Sequence, residues 1–228
     1  MRINDDLSVP VIVHAERQDW VPSPAAGVDR RMLFRVGAEV ARATSIVRYA
    51  PGSAFPRHAH RGGEEILVLA GVFQDEHGDY PVGSYCRNPP GTSHVPAAKE
   101  GCTIFVRLWQ FREGDKAQIV RRPHEGRKVK PRPGARSATV LFDDAHETVR
   151  LEEWSAGGTV MLDNDRGMEF LVLSGMLAFG DEWMPPLSWG RLPAGTALKA
   201  NVSARGARIW IKDAPLLHPD VCQLPDQH

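Results

Sequence analysis

Two separated stretches of the chain repeat at one offset. Glu65-Ile66-Leu67-Val68-Leu69-Ala70-Gly71 matches Glu169-Phe170-Leu171-Val172-Leu173-Ser174-Gly175, and Pro89-Pro90-Gly91-Thr92 matches Pro193-Ala194-Gly195-Thr196, each pair 104 residues apart. One offset shared by two places marks a duplicated domain. The 228 residues therefore read as two copies of one small unit, expected over about residues 30–112 and 137–213. Residues 1–29 are an expected N-terminal extension, and residues 214–228 an expected C-terminal tail.

The repeated unit is built from strands. Short apolar runs rich in Val, Ile, Leu and Phe, such as Ile66-Leu67-Val68-Leu69 and Thr103-Ile104-Phe105-Val106-Arg107-Leu108-Trp109, are closed off by Pro51-Gly52, Pro81-Val82-Gly83 and Pro89-Pro90-Gly91. Helix-period patterns of useful length are scarce, so the fold class is all-β, with each copy a sandwich or barrel. Between the copies, residues 113–136 are dominated by charge and proline, as in Lys128-Val129-Lys130-Pro131-Arg132-Pro133-Gly134, and read as a solvated basic linker.

Lys plus Arg and Asp plus Glu number 28 each, so no global charge favours a nucleic acid or an anionic membrane, and neither is expected as a partner. No apolar run approaches the length that spans a bilayer, and the polar start Met1-Arg2-Ile3-Asn4-Asp5-Asp6 lacks the features of a secretory signal. Cys86, Cys102 and Cys222 are an odd number with no paired spacing, which suits a reducing compartment. The expected location is the cytoplasm.

One cluster of residues in the first copy carries chemistry. His58, His60 and Glu64 share parity, and residues of equal parity on a strand point to one face. His94 follows the rigid Pro89-Pro90-Gly91 turn and can close the set from a later strand. Imidazole nitrogens and a carboxylate oxygen together suit one divalent transition metal, whether zinc, iron, manganese or nickel. Parity turns the competing Glu65 to the opposite face, and its survival as Glu169 in the second copy gives it a structural task.

The segment from Gly52 through His58, His60 and Glu64 to Gly71, followed by Pro89, Gly91 and His94, resembles the two signature motifs of the cupin superfamily. It departs at Ala98, where the second motif commonly ends in asparagine. The run Gly71-Val72-Phe73-Gln74-Asp75-Glu76-His77-Gly78-Asp79-Tyr80, Arg87-Asn88-Pro89-Pro90-Gly91 and Gly101-Cys102-Thr103-Ile104-Phe105 is similar more specifically to the ChrR-like cupins. That resemblance covers about residues 45–112. It implies two cupin (double-stranded β-helix, jelly-roll) barrels, the first holding one metal. In the named member of the group, an anti-sigma factor, such a barrel is the zinc-binding sensory half. The helical half of those proteins holds zinc with a histidine and a Cys-x-x-Cys pair, and no cysteine precedes Cys86 here, so sigma-factor binding does not transfer.

Carried through the repeat, His58, His60, Glu64 and His94 become Leu162, Asn164, Met168 and Leu198, a set without the charge that holds a divalent ion. The second barrel is expected to be metal-free, its apolar replacements either packing the barrel centre or lining a small apolar pocket. His77-Gly78 reads as a tight hairpin turn. His14, His124, His146, His218 and His228 show no ligand spacing, and Cys86 and Cys102 read as small buried side chains. Tyr85, Arg87, Arg107 and Trp109 lie in strand-like segments near the motifs and are candidates to line the cavity beside the metal.

Two readings of function stand. A closed site would serve a small-molecule or redox-sensing protein that binds a metal and a small-molecule ligand. An iron(II) site with free positions would serve a dioxygenase cleaving a carbon-carbon bond of a small diketone or hydroxyketone. A homodimer is compatible with either, though no residue singles one out.

Overall fold

The computed structural model describes residues 1–225; His228 lies outside them. Among the described residues nearly all regular structure is β-strand, the exception being one 3₁₀ turn at Ala15–Arg17. The chain divides into two units, residues 1–5, 19–125 and 217–228 in the first and residues 6–18 and 126–216 in the second.

The first unit centres on one antiparallel sheet. Its strands run in the order Arg2–Ile3, Val28–Gly37, Ala41–Tyr49, Cys102–Leu108, Glu64–Asp75, Tyr85–Asn88 and Ile119–Arg121. Glu64–Asp75 also continues into the hairpin strand Gly78–Pro81 and touches Ala97–Ala98. The inward residues Val47, Ile66, Val68, Phe73, Cys86, Ile104 and Val106 form one buried cluster. Each buried Val or Ile there contributes roughly 1.5–3 kcal/mol relative to exposure, enough to fix which face of each strand is inside. Ala98, at the position where the superfamily motif commonly has asparagine, is fully buried in that cluster.

The second unit repeats the order with Arg127–Val129, Ala135–Asp143, Thr148–Trp154, Leu198–Asp213, Met168–Phe179, Ser188–Leu192 and Val11–His14. Its core joins Trp154, Leu162, Met168, Phe170, Leu177, Leu198 and Ile211. The repeat ends at equivalent glycines for a physical reason. Gly71 and Gly175 have φ of 68° and 71°, and a Cβ on either would collide with the carbonyl oxygen of Gly101 or Gly206 on the adjoining segment.

The chain path differs from a linear succession of extension, barrel, linker, barrel and tail. Val11–His14, in the stretch expected as an extension, pairs with Ser188–Leu192 of the second unit. In the stretch expected as a linker, Ile119–Arg121 pairs with Tyr85–Asn88, and Arg127–Val129 pairs with Ala135–Asp143. Residues of the expected tail belong to the first unit, where Val221 bridges Arg112 and the Cys222 N–H donates to the Phe111 carbonyl. Open sheet edges explain these additions, because an edge left unpaired exposes a row of backbone donors and acceptors. No helix among the described residues is long and apolar enough to cross a membrane.

Candidate metal centre

The four residues singled out by parity and motif converge in the first unit. His58, His60, Glu64 and His94 each offer a ligand atom, and these atoms all lie within 4.8 Å of one another. His58 and His94 are directly opposed in the two-stranded ladder of His58–Ala59 with Ser93–His94. The backbone of His60 is held to the same turn, its N–H donating to the Thr92 carbonyl at 2.9 Å and its carbonyl accepting from Gly91 at 3.1 Å. Glu64 opens the strand Glu64–Asp75 and faces inward with Ile66 and Val68. The three imidazole rings meet edge to face, with centroids 4.6–5.3 Å apart.

Glu65 faces the other way. It accepts from the Tyr85 hydroxyl at 2.6 Å and from Arg107 Nη1 at 2.7 Å, and its cross-strand neighbours are Arg87 and Arg107. Of the candidates to line the metal cavity, Tyr85, Arg87 and Arg107 are therefore corrected. Tyr85 and Arg107 bind Glu65, Arg87 pairs with Asp115 at 2.9 Å, and Trp109 packs over Gly62. The alternation of Tyr85, Arg87 and Arg107 is real, but it places them on the face opposite Glu64, while Trp109 lies past the end of the strand Cys102–Leu108 and outside that alternation.

The surroundings fix the tautomers. Thr92 donates its hydroxyl to the Pro89 carbonyl at 2.7 Å, so at 2.9 Å from His60 Nδ1 it can only accept, and the His60 proton sits on Nδ1. His94 Nδ1 lies 3.4 Å from Asp75 Oδ2, and His58 Nδ1 lies 3.4 Å from the Pro56 carbonyl; both oxygens are acceptors. All three rings are thereby left with the lone pair on Nε2, the arrangement that hydrogen-bonded partners impose on metal-ligating histidines. Asp75 is itself held, accepting at Oδ1 from the Tyr80 hydroxyl at 2.9 Å and the His77 N–H at 2.8 Å in the tight 75–78 hairpin. Asn88 Nδ2 donates to Glu64 Oε2 at 3.3 Å. Asp75, Thr92 and Asn88 escaped the sequence reading as site residues, since each is an ordinary turn or strand-end residue by type.

A divalent ion fits this donor set. His60 Nε2 and His94 Nε2 are buried and make no hydrogen bond, although Glu64 Oε2 is only 3.2 and 3.4 Å away. Two lone pairs and a carboxylate oxygen crowded together without hydrogen bonding between them are costly unless a cation joins them. Burial alone would raise the Glu64 carboxyl, and protonated His60, His94 and His58 outweigh it and take the group to about 2; with the rings neutral, a bound cation would supply that positive charge instead. Burial, with the neighbouring His60 and His58, lowers His94 despite the opposing pull of Glu64, which keeps its ring neutral and ready to ligate. His58 alone of the four is exposed, so the site opens to solvent on its side. Cys86 and Cys102, pushed up to about 12 chiefly by burial, are not thiolates and supply no further ligand.

The corresponding place in the second unit offers no set of metal ligands. Leu162, Met168 and Leu198 are buried in its core. Asn164 occupies the His60 position but spends its amide on the carbonyls of Leu192, Pro193 and Thr196 at 2.8–3.2 Å, while its Oδ1 accepts from the Gly167 N–H.

Comparison with known proteins bears on the fold. No curated protein matches the chain. Among solved structures, a proposed dioxygenase from Nostoc punctiforme superposes with a TM-score of 0.72 at 15% identity, covering 97% of this chain and 88% of its own. The bacterial pirin YhhW from Escherichia coli, solved with nickel(II), gives 0.64 at 15% identity over 91% of this chain and 99% of its own. The Lactobacillus farciminis oxalate decarboxylase gives 0.60 at 12% identity over 90% and 86%. At such identities the likeness is one of fold. Residues 8–112, which hold all four converging side chains, match the family model of the ChrR cupin-like domain, and the chain as a whole has the cupin fold.

Proposed function

We propose that the first barrel holds one divalent transition metal through His58, His60, Glu64 and His94 and uses it to bind a small oxygen-bearing molecule. The observation that carries this reading is the pair of buried, unbonded Nε2 atoms of His60 and His94 standing 3.2 and 3.4 Å from Glu64 Oε2. A metal bound there would act as a Lewis acid, stabilising negative charge on the oxygens of a chelating ligand. The chain's part is to hold three neutral imidazoles in one tautomer through Thr92, Asp75 and Pro56, and to aim the Glu64 carboxyl at the same point. Zinc, iron, manganese and nickel are all compatible with these donors.

Elemental analysis of protein purified without added metal tests the proposal, with one ion per chain expected. Two ions per chain, or one retained after His60 and His94 are both replaced by Ala, would refute the assignment.

A second reading, oxygen-dependent cleavage of a small diketone or hydroxyketone, is favoured by the exposed side at His58. Four protein ligands leave an octahedral ion two further positions, and access from solvent is what a turnover site needs and a purely structural zinc site lacks. The likeness to the Nostoc punctiforme protein supports it at the level of fold. Oxygen uptake by the iron-loaded protein with small diketones decides it; zinc as the sole native metal, with no uptake after iron loading, would sink it. Redox sensing through thiols finds no support, because the cysteines are buried and their thiol protons are held more tightly than usual.

A further inference from the structure

The second barrel lacks metal ligands but not a cavity. A space of about 240 Å³ opens over Leu162, Met168 and Ile211, where two of the missing ligands would have been. This is below the roughly 300–1,000 Å³ of pockets for drug-sized molecules, so it suits a small metabolite. Its wall carries four charged side chains, and two of them are already used. Arg132 forks onto Glu152 at 3.0–3.1 Å, and Asp213 takes Arg166 Nε at 3.0 Å.

The other two are Arg150 and Asp163. Arg150 stands on the strand Thr148–Trp154 opposite Ile211 and Val140, so its parity turns it to the barrel interior rather than to solvent. Neither Arg150 nor Asp163 makes a hydrogen bond or an ion pair among the described residues, and they do not pair with each other although both line the same cavity. A half-buried guanidinium without a partner is costly, and its planar fork matches a carboxylate. The exposed Asp163 at the rim of the same cavity adds a negative charge, which disfavours a multiply charged anion and accepts from an ammonium group.

We infer that the mouth of the second barrel binds a small zwitterion of the α-amino acid type, its carboxylate on Arg150 and its ammonium on Asp163. The site is independent of the first barrel's metal. It gives the duplicated, metal-free barrel a ligand of its own.

Calorimetric titration of the full chain with glycine, alanine and serine tests this, with acetate and methylamine as probes carrying one charge each. Saturable binding of at least one amino acid is expected, with both single-charge probes weaker by about tenfold or more. Arg150→Gln and Asp163→Asn should each weaken amino acid binding by a similar factor, and His60→Ala with His94→Ala should leave it unchanged. Circular dichroism melting of each variant checks that the fold persists. No saturation by any of the three amino acids, acetate binding as tightly as the amino acids, or full binding by both Arg150→Gln and Asp163→Asn would each overturn the proposal.

Discussion

Asp75 Oδ2 lies 3.4 Å from His94 Nδ1, on the side of the ring away from Glu64. The carboxylate is immobilised by Tyr80 and by the hairpin N–H of His77, so it sets both the tautomer and the angle of His94. A ligand oriented in this way loses roughly 10- to 100-fold in metal affinity when its partner is removed. Asp75→Ala is therefore expected to raise the metal dissociation constant by about that factor while keeping one ion per chain at saturation, as read by competition with a chromophoric chelator. An unchanged constant would show that the fold alone orients His94.

Acid should destabilise the metal-free protein in two steps. The folded state lowers His94 below its ordinary 6.5, so the unfolded chain binds more protons as pH falls through that value and stability declines. Glu64 is lowered from 4.5 to about 2, so the stability it contributes is present above 4.5 and is lost between 4.5 and 2. Both signs agree. Thermal melting from pH 8 to pH 3 is expected to show a falling Tm that begins below about 6.5 and steepens below 4.5. Glu64→Gln should flatten the lower part of that curve.

The equivalent positions Glu64 and Met168 invite an exchange. Met168 is buried in a core of Leu162, Phe170, Leu198 and Ile211, where no imidazole stands ready to compensate a charge. Met168→Glu should cost about 1–3 kcal/mol, the desolvation of a carboxyl in an apolar core, softened by Arg150 on the same cavity wall. Glu64→Met should abolish metal retention while leaving metal-free stability within about 1.5 kcal/mol, because the methionine fills the same volume without needing a partner. Urea unfolding of both variants measures the contrast; equal costs would mean that the two barrel centres do not differ in polarity as described.

Much of this architecture is legible from spacing. The 104-residue offset reveals the duplication, and strand parity separates Glu64 from Glu65, because both depend on periods that the backbone enforces. Parity alone does not say which set faces the core, so Tyr85, Arg87 and Arg107 stand as candidates for the metal cavity until the pairing with Glu65 turns them away from it. Asp75 and Thr92 were hidden for another reason: a turn-forming Asp or Thr has the same local appearance whether or not its side chain also holds a ligand. The destination of Val11–His14 was beyond reach. Four residues, Val-Ile-Val-His, announce a strand but carry no address for the edge they join.

That last strand gives the sharpest test of the chain path. Ile12 pairs with Gly190 and packs on the second unit's core, while His14 bonds Ser188 Oγ at 2.8 Å and Glu182 at 2.7 Å. Proline at position 12 removes a backbone donor from this edge and the isoleucine side chain from the core. Ile12→Pro is accordingly expected to destabilise the second unit by about 3 kcal/mol or more. Amide exchange of Ser188–Leu192 should accelerate, since those residues lose the strand that covers them. The first unit's Val28–Gly37, lying closer in sequence, should show no such change, and metal stoichiometry should stay at one. Faster exchange at Val28–Gly37 with protection intact at Ser188–Leu192 would place the strand in the first unit instead.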